Sequence, residues 1–110
     1  MSTRINEMEQ LVLLALARLG EDAYGVPVRE EIEARAGRPV SIAAIYSALD
    51  RLEERGFADS WISEPKAERG GRARKHFTIT AVGVGALLEA KESMARMWEG
   101  LELSPDATKR

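Results

Sequence analysis

One segment, residues 41–80, most restricts what this chain can fold into, because an amphipathic helix pattern runs directly into two short β-type segments. The apolar residues of the helix pattern recur at steps of three and four: Ile42, Ile45, Leu49 and Leu52. This spacing places them on one face of an α-helix that packs on a core. Ser41 is a suitable N-cap, and Gly56 followed by Phe57 predicts a helix end closed by an apolar contact with Leu52.

The two segments after this helix, "FADSWIS" and "KHFTI", predict a β-hairpin. They contain β-branched and aromatic residues, and Pro65 and the pair Gly70–Gly71 mark the connection between them as a loop. Phe57 and Trp61 share one parity, as do Phe77 and Ile79, so we expect each strand to offer one apolar face.

Helical patterns flank this segment on both sides. Apolar spacing predicts a helix from Ile5 to Leu19 and a second one from about Pro27 to Ala36. A fourth helix is expected to begin after Thr80 and to run to about Leu101, with weak first turns at Gly83 and Gly85. The predicted fold is mainly α with a small β-hairpin: a winged helix-turn-helix (residues 1–79), a C-terminal dimerisation helix (80–103) and a flexible tail (104–110).

Composition excludes several classes of function. The 110-residue chain has no cysteine and one histidine, His76, which we expect to be solvent-facing or close to DNA rather than a ligand or a general base. We find no set of side chains that predicts catalysis, a metal site or a cofactor, so an enzyme is not expected. The chain has no apolar run long enough to span a membrane and no signal-peptide pattern, which predicts a cytoplasmic protein.

The charge of the chain is distributed unevenly. The whole sequence has 16 basic and 18 acidic residues, a net charge of −2. The hairpin loop and the start of the second strand nevertheless combine five basic residues with a single acid, Glu68: the basic ones are Lys66, Arg69, Arg72, Arg74 and Lys75. A local basic excess of this kind indicates a local polyanionic target, namely DNA.

The third helix has the properties of a recognition helix. Its outward face begins with small residues that let a helix approach base edges: Ser41, Ala43, Ala44 and Ser47. Arg51 is placed to pair with a phosphate. We expect Asp50 to point away, to pair with a nearby arginine or to accept from a cytosine amine. Arg72 and Arg74 would follow the DNA backbone or enter a minor groove.

Three segments together resemble the phenolic acid decarboxylase regulator (PadR) family of bacterial transcription factors: "LVLLALARLGEDAYGVPVREEIE", "IYSALDRLEERGFADSW" and "GGRARKHFTITAVG". The resemblance covers roughly Leu11 to Leu101. Its most specific part combines the Gly-Arg-x-Arg-Lys wing with five residues of the third helix and its end: Tyr46, Leu49, Leu52, Glu53 and Gly56. The chain is similar to the short subfamily, which has a single C-terminal helix.

The resemblance implies a homodimer that binds a pseudo-palindromic double-stranded operator. Carried onto this sequence, the DNA-binding residues are Ser41, Ala43, Ala44, Tyr46, Ser47, Arg51, Arg72, Arg74 and Lys75. The C-terminal helix is expected to pack on the N-terminal helix of the partner through Leu11, Leu14, Val84, Leu87, Met94, Trp98 and Leu101. The three-four spacing within the last helix, interrupted by Lys91, supports this interface independently.

Related multidrug-binding regulators hold planar drugs at the dimer centre, which implies a candidate site for a small aromatic effector here. The candidate residues are Met8, Met94, Met97 and Trp98. Packing in the dimer core is the alternative role of these side chains.

The sequence therefore predicts a dimeric DNA-binding regulator, more specifically a repressor released by an effector. A winged-helix protein-interaction module without specific DNA binding is the alternative.

Overall fold

A computed structural model of the chain describes residues 3–64 and 73–106. Within these ranges the elements follow in the predicted order: α1 (Glu7–Leu19), α2 (Gly25–Ala36), α3 (Ile42–Glu54), β1 (Ala58–Ile62), β2 (Lys75–Ile79) and α4 (Ala81–Trp98). A short 3-10 turn, Gly20–Asp22, joins α1 to α2. The strands form an antiparallel hairpin, so the predicted fold class, mainly α with a small β-hairpin, is confirmed.

Side-chain caps begin three of the helices. The Ser41 hydroxyl accepts from the backbone N–H of Ala44 at 3.0 Å, and the Thr80 hydroxyl accepts from the N–H of Gly83 at 3.0 Å, as the sequence predicted. At α1, the Asn6 side chain accepts from the N–H of Glu9, while the Glu9 carboxylate accepts from the N–H of Asn6. Each cap satisfies a backbone donor that has no partner within the helix.

The core lies between the first three helices and the hairpin. Its largest fully buried side chains are Phe77, Leu13, Leu16, Ile45, Leu49, Leu52, Val12 and Val28. The backbone also joins the elements, because the N–H of Phe77 in β2 donates to the carbonyl of Ala23, just before α2, at 2.8 Å. The hairpin is therefore tied to the helix-turn-helix by a hydrogen bond as well as by apolar packing.

The end of α3 has the cap that Gly56 predicts, and Leu52 and Phe57 are both buried in the core. The N–H of Phe57 donates to the carbonyl of Leu52 at 2.8 Å, and the N–H of Gly56 donates to the carbonyl of Glu53 at 3.0 Å. Gly56 has a φ of 81°, a left-handed conformation that favours glycine. This pair of bonds is the Schellman motif, and it turns the chain from α3 directly into β1.

The hairpin corrects the expected face of the first strand. Ala58 pairs with Ile79 and Ser60 with Phe77, on the face that packs on the helices, whereas Trp61 pairs with His76 on the outer face. The parity shared by Phe57 and Trp61 was misleading because Phe57 belongs to the cap of α3 and precedes the strand. The apolar face predicted for β1 is therefore wrong, while that of β2 is confirmed by the burial of Phe77.

A carboxylate of α3 joins the helix to both strands. Glu53 accepts a hydrogen bond from the hydroxyl of Ser60, and its carboxylate lies 3.2 Å from the Nζ of Lys75. The Ser60 hydrogen bond, and secondarily the Lys75 ammonium, hold the pKa of the Glu53 carboxyl below its ordinary value of 4.5. This lowered pKa means that the ionised form of Glu53 favours the folded state.

The fourth helix is attached at the same corner where α3 ends. The Thr80 hydroxyl donates to the carbonyl of Gly56 at 2.7 Å, and the N–H of Thr80 donates to the carbonyl of Phe57 at 3.1 Å. Gly83 packs so closely that a Cβ at this position would overlap the Phe57 carbonyl oxygen. The sequence indicated only that Gly83 weakens the helix, whereas the structure shows that it permits this contact.

Beyond its attachment, α4 projects from the rest of the chain. Every residue from Lys91 to Gly100 is exposed. The helix ends at Trp98 rather than near the predicted Leu101, because Glu99 leaves the helical conformation immediately before Gly100. The projection makes the chain elongated, with extents of 62 × 32 × 20 Å and a radius of gyration of 16.9 Å, compared with about 13 Å for a compact domain of this length.

The contact at Gly83 predicts opposite effects for two neighbouring glycine substitutions. Gly83→Ala should lower the free energy of unfolding by about 1–3 kcal/mol, because the new methyl group forces α4 away from Phe57. Gly85 has open space around it. Gly85→Ala should therefore raise the free energy of unfolding by about 0.5–1 kcal/mol. Urea denaturation at equal protein concentration measures both, and equal effects would contradict the role given to Gly83.

The Glu53 contacts predict a pH-dependent loss of stability. The lowered pKa stabilises the fold above the ordinary value of 4.5, and this contribution is lost as the pH falls through the folded-state pKa. Glu53→Gln should therefore be less stable than the native chain at pH 7, with a difference that shrinks towards pH 3.5. Urea denaturation at both pH values measures the difference. Glu54→Gln removes the same charge from the next, exposed position and is the control.

Candidate nucleic-acid interface

The first turns of α3 present the small side chains that the sequence predicted to face outward. Ser41, Ala43 and Ser47 are exposed, and Ala44 is half-buried. Asp50 is exposed further along the same helix. Since the opposite side of α3 is buried through Ile45, this outward side is the surface of the helix that a DNA groove can reach.

Tyr46 lies where α3 meets the start of α2. Its ring packs directly over Gly25, where a Cβ would overlap the phenol. The side chain is nevertheless 41% exposed. Gly25 follows Tyr24, so Tyr46 connects the outward side of α3 to the segment that begins α2.

Arg51 is held by a carboxylate that the sequence does not predict as its partner. Its Nε–H donates to Glu9 at 3.3 Å, and Nη1 of Arg55 lies 3.5 Å from the same carboxylate. Glu9 is only 4% exposed. The Asn6-x-x-Glu9 pattern is a signal for the cap of α1, but it contains no information on the ion pairs with α3.

On the hairpin, Arg74 and Lys75 have different environments. The guanidinium of Arg74 donates from Nη1 to the Tyr24 hydroxyl at 2.7 Å and lies 4.6 Å from the centre of the Tyr24 ring. Lys75 points to the other side of the hairpin, towards Glu53. Arg72, like Lys66 and Arg69, lies outside the described residues.

His76 is buried, so the solvent-facing alternative of its prediction is wrong, while a position close to DNA stays a prediction. It lies on the outer face of β2, where Trp61 stacks on its ring at a centroid distance of 4.3 Å and Tyr24 packs edge-on at 5.3 Å. Its Nδ1–H donates to the carbonyl of Glu21 at 3.0 Å. Only 9% of the residue is exposed. Tyr24 is 52 positions away in the sequence, and the pattern of the strand alone gives no sign of this cover.

The residues predicted for dimerisation all lie at or near the surface. Leu14, Val84, Met94, Trp98 and Leu101 are exposed. Leu11 and Leu87 are partly buried against the core. Leu11 and Leu14 also line an open groove between α1 and α2, together with Ile32 and Ala36.

The candidate effector residues fall into two places. Met8 packs on the core from α1, whereas Met94, Met97 and Trp98 lie exposed on the projecting half of α4. The depression beside Trp98 is lined by Ala95, Arg96 and Glu99. One chain alone therefore does not assemble the four residues into a single enclosed pocket.

Neither a membrane span nor a metal cluster is found in the described ranges. No described helix is long and apolar enough to cross a bilayer. Among residues 3–64 and 73–106, no three His, Asp or Glu side chains are grouped so as to hold a metal ion.

Comparison with known proteins supports the fold and assigns a family. The profile of the Transcriptional regulator PadR-like family matches residues 12–89. A PadR-like transcription factor from Bacteroides fragilis superposes with a TM-score of 0.71 at 24% identity over 84% of each chain. A PadR family regulator from Clostridium difficile R20291 has a TM-score of 0.71 at 23% identity, over 84% of this chain and 91% of that one.

A third solved structure, a PadR family transcriptional regulator from Eggerthella lenta DSM 2243, has a TM-score of 0.66 at 27% identity, over 83% of this chain and 77% of that one. No curated protein matches the chain. The matching profile covers most of the sequence, including α2, α3 and the hairpin. The chain therefore belongs to the PadR-like family of transcriptional regulators, which are DNA-binding winged-helix proteins and not enzymes.

Proposed function

We propose that the chain works as a homodimeric repressor that binds a pseudo-palindromic DNA duplex through two α3 helices and two hairpins. One observation carries the DNA-binding part: the small, exposed start of α3 is connected through Tyr46, Gly25 and Tyr24 to the guanidinium of Arg74. Base edges and backbone phosphates are recognised by these two kinds of surface, a helix that fits the major groove and a cation beside it.

Each predicted DNA-binding residue has a proposed role. Ser41, Ala43, Ala44 and Ser47 approach base edges, where hydroxyl groups offer hydrogen bonds and methyl groups contact thymine. Tyr46 borders this surface. Arg51, Arg72, Arg74 and Lys75 contact phosphates or a minor groove.

Two of these cations already have carboxylate partners. Arg51 is paired with Glu9 and Lys75 with Glu53. A phosphate that binds either cation must therefore share the cation with the carboxylate or displace the carboxylate. This competition reduces the net contribution of the phosphate contact to affinity. Arg74, whose described side-chain contacts are with a neutral phenol, is the stronger candidate for a phosphate contact.

The proposed dimer rests on the exposed apolar half of α4. Ala86 and Leu87 pack on the core, and the same side of the helix continues as the exposed Met94 and Met97 with Trp98 at its border. Exposed apolar side chains on one side of a helix support an interface there. We propose that it docks on α1 of the partner near Leu11 and Leu14, with the chain divided into a DNA-binding part (1–79), a dimerisation helix (80–103) and a tail (104–110).

Regulation follows from the same interface. A repressor of this form acts in the cytoplasm by covering a promoter, and an effector releases it by binding better to the dimer geometry that does not fit DNA. The candidate effector residues are Met8, Met94, Met97 and Trp98. A second chain is needed to bring them together, so a small aromatic effector would bind at the dimer centre.

A charge on the outward side of α3 should weaken DNA binding without unfolding the chain. Ala43→Glu places a carboxylate in the first turn of the helix. The negative charge there interacts favourably with the helix dipole but is repelled by the phosphates of DNA. We expect the affinity for a duplex selected from a random-sequence pool to fall about tenfold or more, measured by fluorescence anisotropy. Ala34→Glu adds the same charge on α2 and is the control. Equal affinities for the two variants would contradict the recognition-helix assignment, and failure to select any duplex would favour a protein-interaction module.

A charge in the exposed apolar half of α4 should dissociate the dimer. Trp98 is more than half exposed in the single chain, so Trp98→Asp leaves the fold of the chain intact but places a charge in the proposed interface. The dimer dissociation constant should rise by at least about thirtyfold in sedimentation velocity experiments. Arg96→Gln changes the net charge by the same amount and is the control. A dimer that survives Trp98→Asp would show that α4 does not form the interface.

A further inference from the structure

We propose that Tyr24 is a positioning residue for DNA binding, which holds the guanidinium of Arg74 in the orientation that contacts DNA. This inference rests on the proposed role of the hairpin in DNA binding. Tyr24 was not among the residues that the sequence predicted for the interface, because it lies 50 positions before Arg74 and outside both the recognition helix and the wing.

The contact between the two side chains restricts both the position and the plane of the guanidinium. Nη1 of Arg74 donates to the Tyr24 hydroxyl at 2.7 Å, and the guanidinium carbon lies 4.6 Å from the centre of the ring. The backbone of Arg74 is fixed as well, because its carbonyl accepts from the N–H of Ser63 at 2.9 Å and its N–H donates to the Ser63 hydroxyl at 3.2 Å. Arg74 is therefore anchored through both its main chain and its side chain.

Tyr24 itself packs on the buried side chain of His76. The Tyr24 and His76 rings form an edge-to-face pair at a centroid distance of 5.3 Å, Trp61 stacks on the His76 ring, and the Glu21 carbonyl accepts from the Nδ1–H of His76. The three aromatic side chains come from the segment before α2, from β1 and from β2. The stack thus fixes Tyr24, and with it Arg74, relative to the helix-turn-helix.

The contact with Tyr24 orients the guanidinium of Arg74 without neutralising its positive charge. Arg51 and Lys75 are paired with carboxylates, which cancel part of their charge. Tyr24 offers Arg74 a neutral oxygen and a ring face, so the positive charge stays available for a phosphate or a minor groove. An arginine ordered before binding loses less side-chain entropy when it contacts DNA, and this gain appears as affinity.

A double-mutant cycle on DNA affinity tests the proposal. The probe is a duplex selected from a random-sequence pool by the native chain, and the variants are Tyr24→Phe, Arg74→Ala and the combination of both. Tyr24→Phe keeps the ring and its packing on His76 but removes the hydroxyl that accepts from Arg74. We expect it to weaken binding about threefold to tenfold in the native background and by less than about twofold in the Arg74→Ala background.

The salt dependence separates positioning from direct contact. Arg74→Ala should reduce the slope of log affinity against log salt by about one, whereas Tyr24→Phe should leave the slope unchanged because the arginine still reaches its phosphate. Equal melting temperatures of the native chain and Tyr24→Phe exclude a loss of folding as the cause, and a variant with a lowered melting temperature is replaced by Tyr24→Trp, which also keeps a ring face.

The outcomes distinguish the positioning role of Tyr24 from the DNA-binding role of Arg74. If Arg74→Ala leaves affinity and slope unchanged, Arg74 does not contact DNA, and its part in the proposed function fails together with the positioning role. If Arg74→Ala weakens binding but Tyr24→Phe does not, only the positioning role fails. Equal effects of Tyr24→Phe in both backgrounds would show that Tyr24 contacts DNA itself, and a gain in affinity would show that Tyr24 restrains Arg74 away from DNA; either result overturns the proposal.

Discussion

The corner at Gly56 and Phe57 is the joint on which the rest of the structure depends. The left-handed glycine ends α3 and sends the chain into β1, while the carbonyls of both residues accept hydrogen bonds from Thr80 at the start of α4. Gly83 closes the contact against the Phe57 carbonyl. Because α3, the hairpin and α4 meet at this one point, we expect them to move as one body.

Features set by neighbours in the sequence were predictable, and features set by distant side chains were not. The caps at Ser41 and Thr80 and the end of α3 at Gly56 depend on backbone groups within one turn, so the local residues predict them. The cover over His76 comes from Trp61 and Tyr24, the latter in another part of the chain. A contact of that range leaves no period in the sequence, which is why the sequence does not predict the burial of His76.

The same division explains how far the candidate interface could be predicted. Helical periodicity on α3 was enough to say which side chains face outward, and their exposure agrees with it. It could not show that Glu9 of α1 pairs with Arg51, or that Glu53 pairs with Lys75 across the hairpin. These carboxylates lower the effective positive charge of the surface below the count of basic residues. A chain with a net charge of −2 would then bind DNA through a few oriented cations rather than through a broad basic face.

The projecting half of α4 connects this surface to regulation in the proposed dimer. Thr80 and Gly83 fix the start of the helix on the corner that also carries α3, and the exposed apolar end extends towards a partner. A change in how two such helices pack against the partner chains would rotate each corner as a unit. The spacing between the two recognition helices would change while each keeps its internal geometry. An effector at the dimer centre can therefore control DNA binding without touching a DNA-binding residue, provided that it binds one spacing more tightly than the other.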